Sequence, residues 1–251
     1  MADKRFQSLP GFRDFTPRDC AVRNYLFSVW RDVARRYGFT EYEAPIVEST
    51  ELYLKKSGGE LTTQLFRFED QGGRDITLRP ELTASLARIV GANQRDYPKP
   101  LKWFEIGPCF RYEKPQKGRG REFIQFNADI LGESSPSADA ELIAMAIDTM
   151  LCLGFREGDF VIRASDRESW LGFCAQHEIS EPSEFLPIID RLEKLKPEVL
   201  EEQLGNFGIT REQVEAFIND EENASPAFRE IKANLEAVSY THLTLPTICS
   251  V

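Results

Sequence analysis

Between Arg111 and Arg121, Lys114, Lys117 and Arg119 join the two arginines to make five basic side chains against one acid, Glu113, in a chain whose net charge is −10. A basic cluster in an acidic protein points to a targeted anion site, since a general nucleic-acid coat would shift the whole charge balance. The same run also reads as an ordinary solvated loop. What sharpens the anion reading is the stretch that follows. From Glu122 to Leu131 the residues alternate, so that Ile124, Phe126, Ala128 and Ile130 point one way and Phe123, Gln125, Asn127 and Asp129 the other. A ring, two amides and a carboxylate in a row form an unusual surface for bulk water and a suitable floor for a polar ligand.

The elements needed to hold these residues are legible around them. Leu101 to Tyr112, rich in aromatic and β-branched residues, predicts a strand, and Glu122 to Leu131 predicts its antiparallel partner across the loop EKPQKGRG. Arg111 and Glu113, two apart, share a face. Upstream, Thr16 and Pro17 start a helix predicted to reach Tyr37, with Val22, Leu26, Val29, Trp30 and Val33 as its apolar stripe and Gly38 as its stop. Phe39 to Val47 alternates like a strand, and Pro45 within it suggests an edge or an interface. Leu52 to Gly59 reads as a short helix and a turn. Phe66 to Glu69 and Asp75 to Leu78 read as a hairpin turning at Gln71-Gly72-Gly73. In TLRPELTASLARIV a strand gives way to a helix, and Glu81 sits where an acid favours a helix start. A helix over 139–154 carrying Leu142, Ile143, Ala146, Met150 and Leu153, and a strand at Phe160 to Arg163, complete this part. Beyond Ser165 the pattern is helical to Glu236.

Length and composition bound the class. With 251 residues, 41% of them hydrophobic, the chain can bury one large domain or a large one and a small one. No apolar run approaches the roughly 20 residues that span a bilayer, and the first residues lack a signal peptide's apolar segment, so a cytoplasmic protein without membrane attachment is expected. Cys20, Cys109, Cys152, Cys174 and Cys249 are scattered and never spaced Cys-x-x-Cys, which fits buried thiols in a reducing compartment. His177 and His242 lack neighbouring ligands, so a metal centre or a Ser-His-Asp triad is not expected.

FRYEKPQKGRGREFIQF resembles motif 2 of the class II aminoacyl-tRNA synthetases in the form found in the histidyl-tRNA synthetase family: Arg-x-Glu at a strand end, Pro-Gln-Lys-Gly-Arg in the loop, Arg-x-Phe-x-Gln on the return. The Pro17 helix followed by the Pro45 strand resembles motif 1, and Thr77 to Thr83 resembles the family's Thr-Leu-Arg-Pro-Glu-x-Thr segment. The resemblance implies an α+β fold, an antiparallel sheet flanked by helices with a helical insertion, and a homodimer formed through the first helix and Pro45. It implies histidine–tRNA ligase activity on histidine, ATP and tRNA(His), with Mg²⁺. Arg111 would be the catalytic clamp on the α-phosphate and the substrate carboxylate. Glu113 would hold the adenine amino group, Phe123 would stack on the base, and Arg119 and Arg121 would steer the outer phosphates or the tRNA end. Glu81 and Thr83 would hold the α-ammonium of histidine, Gln125 its amino and carboxylate groups, and Asp129 its imidazole.

The organisation expected is a catalytic core over 1–164 with motifs 1 and 2, a helical insertion over 165–237, and a non-native tail over 238–251, where VSYTHLTLPTICSV departs from what precedes it. The family's Arg-Gly-x-x-Tyr-Tyr segment and motif 3 do not occur, so a truncated form inactive alone is expected. A histidine-sensing regulatory subunit of ATP phosphoribosyltransferase, keeping the fold without the catalytic contacts, is the alternative. Another class II synthetase, for threonine, proline or glycine, is a further one.

Overall fold

Thr16 starts the first helix as its local sequence demands. Its side chain accepts from the Asp19 amide while Asp19 reaches back to the Thr16 amide, a reciprocal cap with Pro17 in the first turn, and α1 runs Pro17–Arg36. The computed structural model describes residues 6–56, 59–156 and 158–237, so the tail expected over 238–251, with His242 and Cys249, lies outside the described residues. The chain divides into two compact units, Met1–Glu133 and Ser134–Val251.

In the first unit, β1 (Thr40–Glu41) and β2 (Val47–Ser49) precede α2 (Thr50–Lys56) and α3 (Gly59–Thr63). Then come β3 (Phe66–Glu69), β4 (Asp75–Leu78), α4 (Thr83–Ala92), β5 (Leu101–Phe110) and β6 (Glu122–Leu131). One sheet has the order β1-β5-β6 and the other β2-β4-β3. The β5–β6 pair is antiparallel, from Leu101 opposite Leu131 to Phe110 opposite Glu122. The pairing of β1 with β5 is parallel, which sixty residues of connection permit.

The strand expected over 39–47 is split, and its two halves join different sheets. Pro45 has no amide to give to a ladder, and the backbone of Ala44 is taken by side chains: its carbonyl accepts from Arg79 at 2.9 Å and its amide donates to Glu105 at 3.3 Å. The alternation of β6 holds. Phe126 stacks on Trp30 of α1 with centroids 5.5 Å apart and meets Phe104 edge-on, so this face packs under the helix. Val33 and Ala34 are the buried end of the α1 stripe, while Val22 at its start is exposed.

The second unit contains α5 (Pro136–Cys152), α6 (Arg167–Gln176), α7 (Pro182–Ile189), α8 (Pro197–Gly205), α9 (Arg211–Asn219) and α10 (Pro226–Ala237). Two corrections belong here. Phe160 to Arg163 forms no strand: Phe160 makes an isolated bridge and the residues after it are irregular. The buried residues of α5 are Ala140, Ala144, Met145, Ile147 and Thr149, whereas Leu142, Ile143 and Ala146 line a groove with Ile162, Phe228 and Ile231. The helix is apolar around most of its girth, so its periodicity did not single out one face. Helices α6 to α9 enclose their own core, with Trp170, Phe173, Phe185, Leu204 and Phe217 at its centre. The division between the two compact units falls before α5, which packs against α10.

Candidate active site on the β5–β6 face

The face of the hairpin opposite α1 carries the predicted site. A cavity of about 240 Å³ is lined by Arg111, Glu113, Gly118, Arg119, Gly120 and Phe123. The Arg111 guanidinium lies 5.1 Å from the centroid of the Phe123 ring, and its Nε donates to the Pro80 carbonyl at 3.1 Å. That bond aims a planar cation across an aromatic floor and ties motif 2 to the segment that starts α4. Glu113 accepts from Arg119 at 2.8 Å, with Glu113 the more sheltered partner.

Arg121 lies differently. Its Nε donates to the Glu113 carbonyl at 3.0 Å and an Nη to the Pro10 carbonyl at 3.4 Å, and its guanidinium lies 4.1 Å from the Tyr112 ring centroid. It clasps the 9–12 segment to the loop. Gly11 is what allows the close approach: its φ is +86°, and a Cβ there would sit 2.7 Å from Arg121 Cγ.

Further along the same face, Glu81 accepts from the amides of Thr83 at 3.0 Å and Ala84 at 2.9 Å, so its carboxylate caps α4. Asn127 donates to the Thr83 hydroxyl at 3.2 Å, and the buried Cys109 thiol donates to Gln125 Oε1 at 3.1 Å. Burial pushes the Cys109 thiol up to about 12, against the pull of Arg79 and Arg111. Asp129 stands opposite Trp103, whose ring is flanked by those of Tyr42 and Tyr97. Burial, with the charges of Glu105 and Asp129, raises the Tyr42 phenol well above its ordinary value. The structure thus places Glu81, Thr83, Arg111, Glu113, Arg119, Phe123, Gln125 and Asp129 in the first unit, with Arg111, Glu113, Arg119 and Phe123 around one cavity, Gln125 and Asp129 further along β6, and Pro45 exposed.

Sequence reasoning missed the buried ion pair on this same face. Arg79 and Glu105 are both almost fully buried and paired at 2.5 Å, and Arg79 also donates to the carbonyls of Ala44 and Pro108. Burial raises the Glu105 carboxyl, with Arg79 acting against it. Gly107 makes the room, since a Cβ there would lie 2.1 Å from an Arg79 Nη. A glycine inside a strand marks close approach of another group, and an acid in an apolar strand calls for a partner; both signals were present at 105 and 107.

The sequence profile of histidyl-tRNA synthetase matches residues 11–166, more than half of the chain. The chain belongs to the histidyl-tRNA synthetase family. The histidine–tRNA ligase of Opitutus terrae is 45% identical over 205 residues, covering 81% of this chain and 47% of that protein. That of Haloarcula marismortui is 40% identical over 213 residues, covering 84% and 49%. The chain therefore spans about half the length of the curated histidine–tRNA ligases it matches. Among solved structures, the histidyl-tRNA synthetase of Nostoc is 26% identical with a TM-score of 0.71, covering 94% of this chain and 53% of that one. Apo histidyl-tRNA synthetase of S. aureus gives 25% and 0.64, covering 98% and 58%. A protein from Bacillus halodurans described as an ATP phosphoribosyltransferase regulatory subunit/histidyl-tRNA synthetase gives a TM-score of 0.77 at 19% identity over 99% of this chain and 70% of that one, a likeness of fold. With these histidyl-tRNA synthetases the α+β class II catalytic fold is established for the chain.

Proposed function

We propose that this chain carries the half of a histidine–tRNA ligase site that brings ATP and histidine together. In the reaction the histidine carboxylate attacks the α-phosphate, giving histidyl-adenylate and pyrophosphate, and the histidyl group then passes to tRNA(His). Two anionic groups must approach, so charge neutralisation and alignment supply most of the rate.

The observation that carries the reading is the placement of Arg111. It lies over Phe123 within the cavity and is anchored to Pro80, next to Glu81 and Thr83. From there one guanidinium can bridge the α-phosphate and the amino-acid carboxylate, making it the catalytic residue. Phe123 stacks on adenine and Glu113 accepts from its amino group. Arg119 meets the outer phosphates. Arg121 contributes mainly by holding the loop, with its remaining donor atom toward phosphate or the tRNA end. Glu81 and Thr83 receive the α-ammonium, Gln125 the amino and carboxylate end, and Asp129 the imidazole N–H.

Mg²⁺ enters with the triphosphate as its counter-ion. Among the described residues Glu113 is the one carboxylate lining the cavity, and it is engaged by Arg119, so the described residues do not make a protein cage for the ion. The exposed segment around Pro45, with α1, serves as the homodimer surface; residues 165–237 form the family's helical insertion; and the cytoplasm is the compartment.

Calorimetric titration with ATP and with histidine tests the reading. Arg111→Ala is expected to weaken both ligands about tenfold or more, the scale of a lost charge-assisted hydrogen bond. Unchanged ATP affinity in that variant would sink the catalytic assignment. Histidine binding without ATP binding would instead favour the histidine-sensing regulatory subunit.

A further inference from the structure

We propose that Cys109 is a positioning residue that fixes which end of the Gln125 amide faces the substrate, so that Gln125 serves as an N–H donor to the amino-acid carboxylate. The identity of that ligand rests on the function proposed above; the pairing itself does not.

An amide side chain offers an acceptor oxygen and a donor nitrogen, and a half-turn exchanges them. Cys109 decides between the two orientations. It lies on β5, two residues before Arg111 and therefore on the same face, and it is fully buried. Its Sγ is 3.1 Å from Gln125 Oε1. Burial keeps the sulfur protonated, so it is an S–H donor at any physiological pH, and a donor draws the amide oxygen toward itself. Nε2 is then the atom offered to a ligand.

The consequence is a division of the site by polarity. Gln125 Nε2 and the Arg111 guanidinium form a donor end, whereas Glu81 and Asp129 supply carboxylates. A zwitterion fits this in one direction only, with its carboxylate toward Arg111 and Gln125 and its cationic or N–H groups toward the acids.

Infrared spectroscopy of the chain, without ligand, tests the pairing. The S–H stretch of Cys109, identified by its loss in Cys109→Ala, is expected at the low frequency of a donating thiol and should move up in Gln125→Leu. A band that does not move overturns the proposal. Affinities for L-histidine and for histidinol, which has an alcohol in place of the carboxylate, test the consequence. Cys109→Val should weaken histidine about tenfold and leave histidinol unchanged, and Cys109→Ser, which keeps a donor, should restore histidine binding. Equal losses for both ligands, or no rescue by serine, overturn the assignment of the carboxylate. Should the unmodified chain bind neither ligand, the proposed function falls, and the infrared result still decides whether Cys109 orients Gln125.

Discussion

Arg119 donates to Glu113 at 2.8 Å within the lining of the cavity beneath Arg111, so the carboxylate assigned to adenine is already engaged by the cation assigned to phosphate. Under the proposed function adenine and Arg119 would compete for one acceptor, and ATP would resolve the competition by offering Arg119 its phosphates.

The competition has a measurable sign. Arg119→Ala should tighten the binding of adenosine by roughly two- to fivefold, the scale of a partly exposed ion pair, while weakening that of ATP. Parallel calorimetry with the two ligands checks it; losses for both would show that the pair does not oppose base binding.

The buried Arg79–Glu105 pair should dominate the stability of the first unit. Glu105→Ala leaves a buried guanidinium without its counter-charge and is expected to cost about 3–5 kcal/mol. Arg67→Ala, breaking the half-exposed pair with Asp75, should cost less than about 1 kcal/mol. Urea denaturation of the two variants compares them directly, and similar losses would contradict the burial argument.

Asp166 gives the second unit an acid-sensitive latch. It caps α6 through the amides of Glu168 and Ser169, and it accepts from the Ser169 hydroxyl and the Ser225 amide. Burial pushes its carboxyl up, but the hydrogen bonds from Ser169 and Ser225 outweigh this and hold it below the usual 3.8. A folded value below the unfolded one stabilises fully above about pH 4 and is lost as pH falls through the lowered folded value. Asp166→Ala should therefore flatten the acid limb of the stability curve and cost about 1 kcal/mol at neutral pH as a lost cap. An unchanged acid limb, followed by Trp170 fluorescence, would count against this.

Asp129→Ala should weaken histidine steeply and leave ATP nearly untouched, because Asp129 stands on β6 six residues beyond Phe123, away from the cavity lining. Titration of each ligand separates the two effects. Histidine affinity that survives the change would move imidazole recognition elsewhere.

How much of this was legible beforehand follows from how far each signal reaches along the chain. The alternation of β6, the Thr16 cap, the Gln71–Gly73 turn and the basic charge of the 111–121 loop depend on residues within a few positions of one another, and each stood in the text of the sequence. So did the faces: a period of two states which side chains share a side. A period does not state what lies against that side. That Arg79 crosses at Gly107 to meet Glu105, that Arg121 is claimed by the backbone around Gly11, that Ala44 gives its backbone to side chains instead of a ladder, and that Cys109 orients Gln125 are all decided by atoms brought together from distant positions. Sequence by itself determined the chemistry available on the β5–β6 face. The tertiary structure decided which of those groups are spent on one another and which are left to face a ligand, because a hydrogen bond depends on distance and direction in space and not on separation along the chain.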